Sequence, residues 1–199
     1  MHKASLRKLY RAKRQALSEA DWQQRCAAIQ ERLLAFLTTQ FEPEDGFTLH
    51  TYLPIRRQRE VDTYSIIAEL RQRYPKLRAL ISRSHSDGSM RHVSWSDDVT
   101  LTDNQWGIPE PADTNHPEVN SHDIDVVLVP LLIFDKQGHR VGYGKGYYDR
   151  FLATCRPDVL AIGLSFFEPI EAISDKTPLD VPIHVCFTPF RNWYFFNHL

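Results

Sequence analysis

The sequence predicts an α/β fold with a mainly parallel central sheet and N-terminal helices, on three observations. Residues 124–129 form the most continuous apolar run, the composition of a strand buried on both faces, as in parallel sheets. Residues 47–53, 64–74 and 77–82 read as strand, helix and strand, and a helical crossover between two strands argues for parallel pairing. From residue 124 onward, strand, glycine-rich loop, helix and strand follow one another.

Residues 3–16 are rich in helix formers, with Leu6, Leu9 and Tyr10 on one side. Lys3, Arg7, Arg11 and Arg14 recur at three- and four-residue steps and share a face, either a solvated charge stripe or a local anion site. Ser18 is the expected N-cap of a second helix reaching about residue 39, with Trp22, Cys26, Ile29, Leu33, Leu34 and Leu37 as its apolar stripe. The strand at 47–53 ends at Pro54 and leads into a basic loop, Arg56-Arg57-Gln58-Arg59, followed by Glu60 and Asp62. Asp62 or Thr63 caps the helix at 64–74, and Pro75 stops it.

Residues 84–88 are turn-rich and 90–95 read as a short strand. Residues 103–123 form the longest irregular segment, with Pro109 and Pro111 excluding a helix; irregular stretches of that length are often functional. Residues 134–138 form a turn, 147–155 a helix and 159–166 a strand. A last strand is expected to end at Phe187, and the aromatic end Trp193-Tyr194-Phe195-Phe196 reads as core or edge cover.

With 199 residues, 42% hydrophobic and 25% charged content and a net charge of −1, the chain reads as one soluble globular domain, residues 1–199. No global basic field points to nucleic acid. Cys26, Cys155 and Cys186 form no metal-ligand or redox pair, so a reducing cytoplasm is the easiest fit. There is no signal-peptide core, and no apolar run approaches the roughly 20 residues of a membrane span. A cytoplasmic monomer without nucleic-acid or membrane partners is expected.

The chemistry concentrates in Arg140-Val141-Gly142-Tyr143-Gly144-Lys145-Gly146-Tyr147-Tyr148-Asp149. Glycines between a strand and a helix let backbone N–H groups approach a phosphate, and Arg140 and Lys145 add charge. The Walker pattern fails because Gly146 follows Lys145, and the dinucleotide pattern fails because one residue separates Gly144 from Gly146. A simple glycine turn remains the alternative. A bound triphosphate would call for Mg²⁺, which takes oxygen ligands; Asp149 is the nearest candidate, with Asp180 a possible second. No zinc-protease helix or nucleophile elbow is present.

This string closely resembles the signature of the 5-formyltetrahydrofolate cyclo-ligases, and the resemblance spans nearly the whole chain. It continues in Lys3 and Arg7, in Tyr52-Leu53-Pro54 with Glu60-Val61-Asp62-Thr63, in Trp106-Gly107-Ile108-Pro109-Glu110-Pro111, in residues 125–130 and in Asp180-Val181-Pro182. The resemblance implies a three-layer α/β sandwich. It also implies a cytoplasmic enzyme that uses ATP and Mg²⁺ to convert 5-formyltetrahydrofolate to 5,10-methenyltetrahydrofolate, ADP and phosphate. On it, Lys3, Arg7, Arg140, Gly142, Tyr143, Gly144, Lys145, Gly146 and Tyr147 contact ATP, with Lys145 and Arg140 as the catalytic cations. Asp149 and Asp180 hold magnesium. Glu60 orients the pterin, with Leu53, Trp106 and Tyr148 beside it. Arg57 and Arg59, from charge alone, are candidates to meet the glutamate tail. His184 departs from the pattern, standing where many relatives carry an acid. Two other readings stay open: a phosphotransferase with a different small-molecule acceptor, and a non-catalytic folate- or nucleotide-binding module.

Overall fold

A computed structural model describes residues 1–96, 98–113 and 116–195. Two helices open the chain, α1 (Lys3–Gln15) and α2 (Glu19–Leu37). Ser18 caps α2 by accepting from the Asp21 amide. Next come β1 (Thr48–His50), α3 (Thr63–Arg73) and β2 (Arg78–Ser84). The cap of α3 is Asp62, whose carboxylate accepts from the Tyr64 and Ser65 amides. The remaining elements are β3 (Met90–Ser94), β4 (Leu101–Asp103), β5 (Pro109–Pro111), β6 (Val126–Val129), β7 (Ile133–Phe134), β8 (Arg140–Val141), α4 (Tyr147–Leu152), β9 (Leu160–Leu164), β10 (Val185–Phe187) and β11 (Asn192–Tyr194).

Seven strands make one sheet in the order β11-β10-β9-β6-β1-β2-β3. The apolar run supplies β6, buried throughout and central. The inner pairs are parallel, and only the edge strands β3 and β11 run antiparallel to their neighbours. The period-two alternation of strand side chains divides the core. Val126 and Leu128 join Leu49, Ile162 and Val185 against Leu33 of α2 and Ile66 and Ile67 of α3. Val127 and Val129 join Leu80, Ala161 and Cys186 against Phe151 and Leu152 of α4. Both faces are therefore covered, and the sheet is the middle layer of three.

From β1 the chain winds outward to β2, whereas from β6 it winds the opposite way to β9 and β10. The strand order thus reverses between β1 and β6. In open α/β sheets, ligand crevices form beyond the carboxyl ends of strands at such a point.

Several boundaries differ from the sequence expectation. β1 stops at His50, although the Thr51 amide still donates to Leu80 O at 2.9 Å. The irregular segment 103–123 contains β5, which pairs with β4 despite its prolines. The Asn104 amide donates to Ile108 O and the Ala112 amide to Thr100 O. By alternation, Pro109 and Pro111 fall where a strand N–H points away from the partner, so no ladder bond is lost. α4 ends at Leu152 rather than Cys155, closed by three-residue bonds to Phe151 O and Leu152 O. β10 is not the last strand, because Trp193 and Tyr194 form the edge strand β11 and Phe195 packs on Phe134; Phe196 lies outside the described residues. No helix among the described residues is long and apolar enough to cross a membrane.

Candidate active site

A cavity of about 600 Å³ opens at the reversal point. Its floor is the chain leaving β1, Thr51 to Leu53, together with Pro130 just beyond β6. Every residue that the resemblance assigns to ATP, magnesium or the pterin lies on its walls.

One half is cationic. The β7–β8 hairpin delivers the glycine loop, in which Gly144 and Gly146 adopt φ of +92° and +69°. These are left-handed values that glycine alone adopts freely. Gly144 also lets α1 come close, since a Cβ there would stand 2.9 Å from Arg7 Nη2. Arg7 Nε donates to Gly142 O at 2.9 Å and so ties α1 to the loop. With six residues, α4 is short, and side chains carry most of the positive charge.

Arg140, 6% exposed, donates through Nη2 to Asp149 Oδ1 at 2.8 Å and through Nη1 to Val181 O. Lys3 Nζ donates to both carboxylate oxygens of Asp180 at 2.6 Å. Burial works to raise the Asp180 carboxyl, but hydrogen bonds from Lys3 and the Thr177 amide outweigh it and hold the group below its usual range. Among the described residues, no group of three or more His, Cys, Asp or Glu side chains could hold a metal by itself. Two carboxylates beside an anion cradle do suit Mg²⁺, which completes its shell with water and phosphate oxygens. The donor set fits that ion.

The other half is apolar and aromatic, built around one buried acid. Glu60 is 4% exposed and follows Arg59, whose φ of 49° is the one positive value on a non-glycine residue among those described. Arg59 is turned outward to Glu19 at 3.1 Å, while the Trp22 indole holds Glu60 O at 3.0 Å. The Glu60 side chain accepts from the Ile55 amide at 2.7 Å and the Tyr143 hydroxyl at 2.6 Å. Burial raises the carboxyl, while Arg14 and those two donors pull it down. Leu53 and Tyr148 also line this half, and burial, then the charge of Glu60, pushes the Tyr148 phenol up.

Across the mouth, Asn104 Oδ1 accepts from the Trp106 and Ile108 amides and shapes the turn that carries Trp106. Arg57 donates to Trp106 O, and Lys145 Nζ stands 5.9 Å from the Trp106 ring centroid. Arg57 therefore lies on the cavity and Arg59 away from it. His184 belongs to the strand layer instead, where its Nδ1 accepts from the Ala161 amide.

Sequence reading missed several lining residues. The stretch 84–95 walls the cavity through Ser84 and Met90. Arg150 fastens its turn to the glycine loop by donating to Gly88 O and Lys145 O. Glu110, 7% exposed, accepts from the Ser84 amide. A signal for Glu110 was available in the Trp106 to Pro111 string; none marked Ser84 or Met90.

Fold and cavity together define an α/β protein with a ligand cleft at the sheet's reversal point, cationic in one half and aromatic with a buried carboxylate in the other. The chain belongs to the 5-formyltetrahydrofolate cyclo-ligase family, whose model matches residues 1–181. The 5-formyltetrahydrofolate cyclo-ligase of Mycoplasma genitalium is 28% identical over 186 residues, covering 92% of this chain and 97% of the relative. That of Mycoplasma pneumoniae is 30% identical over 186 residues, covering 92% and 96%. Among solved structures, the 5,10-methenyltetrahydrofolate synthetase of Mycoplasma pneumoniae superposes with a TM-score of 0.74 at 27% identity, covering 95% of this chain and 99% of that one. The Aquifex aeolicus 5,10-methenyltetrahydrofolate synthetase does so with a TM-score of 0.81 at 26% identity, covering 100% and 95%.

Proposed function

We propose that the protein is an ATP-dependent 5-formyltetrahydrofolate cyclo-ligase, converting its substrate to 5,10-methenyltetrahydrofolate with release of ADP and phosphate. One observation carries the proposal: Glu60 and the glycine-loop cations, 80 or more residues apart in sequence, line the same cavity. Family membership supports the choice of substrate.

In this reading the cationic half takes the triphosphate. Lys3, Arg7, Arg140 and Lys145 neutralise phosphate charge, and Gly142, Gly144 and Gly146 allow close backbone approach. Tyr147 borders that half, its hydroxyl anchored on His85 O. Asp149 and Asp180 would hold Mg²⁺, which when bound spreads the negative charge of the phosphates. Lys3 and Arg140 then exchange carboxylate partners for phosphate ones. The aromatic half takes the pterin: Glu60 pairs with the adjacent donors of its aminopyrimidine edge, and Leu53, Trp106 and Tyr148 pack beside the ring.

The formyl oxygen attacks the γ-phosphorus, the bond to ADP breaks, and the oxygen becomes a phosphate leaving group. The neighbouring folate nitrogen then attacks the formyl carbon and loses its proton, and the ring closes as phosphate departs with the former formyl oxygen. Such a transfer mainly needs alignment and charge neutralisation, which two halves of one cleft supply. The same reading takes residues 1–199 as one domain acting as a monomer in the cytoplasm. Purified protein with 5-formyltetrahydrofolate, ATP and Mg²⁺ develops the near-ultraviolet absorbance of the methenyl product; no ATP-dependent signal would refute the proposal.

A further inference from the structure

Glu60 depends on few donors, and one of them comes from the other half of the cleft. The Ile55 amide serves Oε2, and the Tyr143 hydroxyl serves Oε1. The Tyr143 oxygen also accepts from Arg14 Nη2 at 2.5 Å. A phenol has one proton, and an arginine nitrogen can only donate, so the Tyr143 proton is committed to Glu60. Arg14 is 3% exposed, and its guanidinium lies 5.8 Å from the Tyr143 ring centroid, with that of Arg11 at 5.5 Å. Arginine is rarely buried so fully unless paired, and here its charge reaches Glu60 through the tyrosine.

We propose that Tyr143, fixed by Arg14, is a positioning residue for Glu60 and couples the folate half of the cleft to the glycine loop. This rests on the functional reading above and changes one part of it, the expectation that Tyr143 contacts ATP. Each carboxylate oxygen can accept about two hydrogen bonds. Among the described residues one donor serves each, which leaves a matched pair of acceptor sites for two adjacent donors. Tyr143 stands between Gly142, whose carbonyl is held by Arg7, and Gly144, against which Arg7 packs. A loop drawn onto a phosphate moves the hydroxyl that aims Glu60, and a pterin on Glu60 steadies the loop. Such coupling is reciprocal.

The test is calorimetric titration with 5-formyltetrahydrofolate and with a non-hydrolysable ATP analogue plus Mg²⁺, each alone and with the other present. In the unaltered protein each ligand binds more tightly when the other is present. Tyr143→Phe keeps the ring and loses the proton. It weakens the folate about tenfold, the size of a lost charge-assisted hydrogen bond. It leaves the analogue alone within about twofold and abolishes the mutual tightening, as expected when the linking bond is gone. Arg14→Met acts in the same direction and Arg14→Lys partly restores binding, so the inference is testable even if Tyr143→Phe folds poorly. Glu60→Gln also weakens the folate, and combined with Tyr143→Phe the loss is smaller than the product of the two single losses, as expected for residues in one network. Equal loss of folate and analogue in Tyr143→Phe, unchanged folate affinity, or no mutual tightening in the unaltered protein would overturn the inference. Failure of the unaltered protein to bind 5-formyltetrahydrofolate would overturn the functional reading beneath it as well.

Discussion

Replacing Lys145 with alanine separates charge from folding. Lys145 is exposed, and among the described residues no hydrogen bond or ion pair holds its ammonium, which stands 5.9 Å from the Trp106 ring centroid. An exposed cation–π contact contributes at most about 1 kcal/mol. For a chain of this length that corresponds to a melting shift of no more than about 4 °C. An ammonium–phosphate hydrogen bond contributes about 1.5–3 kcal/mol, so its loss lowers kcat/KM for ATP roughly 10- to 100-fold. Thermal melts followed by circular dichroism give the first quantity, and initial rates of methenyl absorbance against ATP give the second. A Lys145→Ala variant that melts more than about 8 °C lower while keeping its ATP kinetics would show that the residue serves packing, and the reasoning fails.

Arg140→Met strands Asp149, 27% exposed, with the Val181 amide as its remaining donor among the described residues. Breaking such a partly buried pair costs about 2–3 kcal/mol, read as a lower urea midpoint; an unchanged midpoint would contradict the pairing. Gly144→Ala forces a side chain into left-handed backbone and against the Arg7 guanidinium. The expected cost is about 1–2 kcal/mol of stability, and about a tenfold loss of nucleotide affinity by calorimetry if the loop shifts enough to lose one phosphate contact. Unaltered nucleotide binding would count against the cradle.

Burial holds His92 down at about 4, against 6.5 unfolded. Between those values the unfolded chain takes up a proton that the folded one refuses. Stability is therefore full above about pH 6.5 and falls toward pH 4 by about 3 kcal/mol. His50, buried beside it, is lowered in the same direction by burial and then by His92. His92→Phe flattens that decline, as urea unfolding at pH 7 and 4.5 will read; an unchanged slope would refute the assignment.

Elements with strong local signals were legible: the Ser18 cap and the apolar stripe of α2 form as expected, and the run at 124–129 supplies the central strand, which starts at Val126. Many residues lining the cleft were legible too, because the glycine string and the Trp106 to Pro111 string each carry local chemistry, whereas Ser84 and Met90 carried no signal. What sequence withheld depends on long-range pairing. Nothing local tells that β1 lies next to β6, yet that pairing brings Glu60 to the glycine loop. β5 escaped because prolines argue against a strand unless their register is known. Arg14 read as one more charge on the α1 face, where an arginine ordinarily meets water. Its burial follows from Tyr143 and Glu60 lying beneath that face.

The most direct test of a two-ligand cleft is to follow ADP and the methenyl chromophore in one reaction containing the purified protein, 5-formyltetrahydrofolate, ATP and Mg²⁺. The two products are expected to rise together in equal amounts, and omitting either substrate to stop both. ADP formed without the methenyl product, or binding of both ligands with neither product, would contradict it.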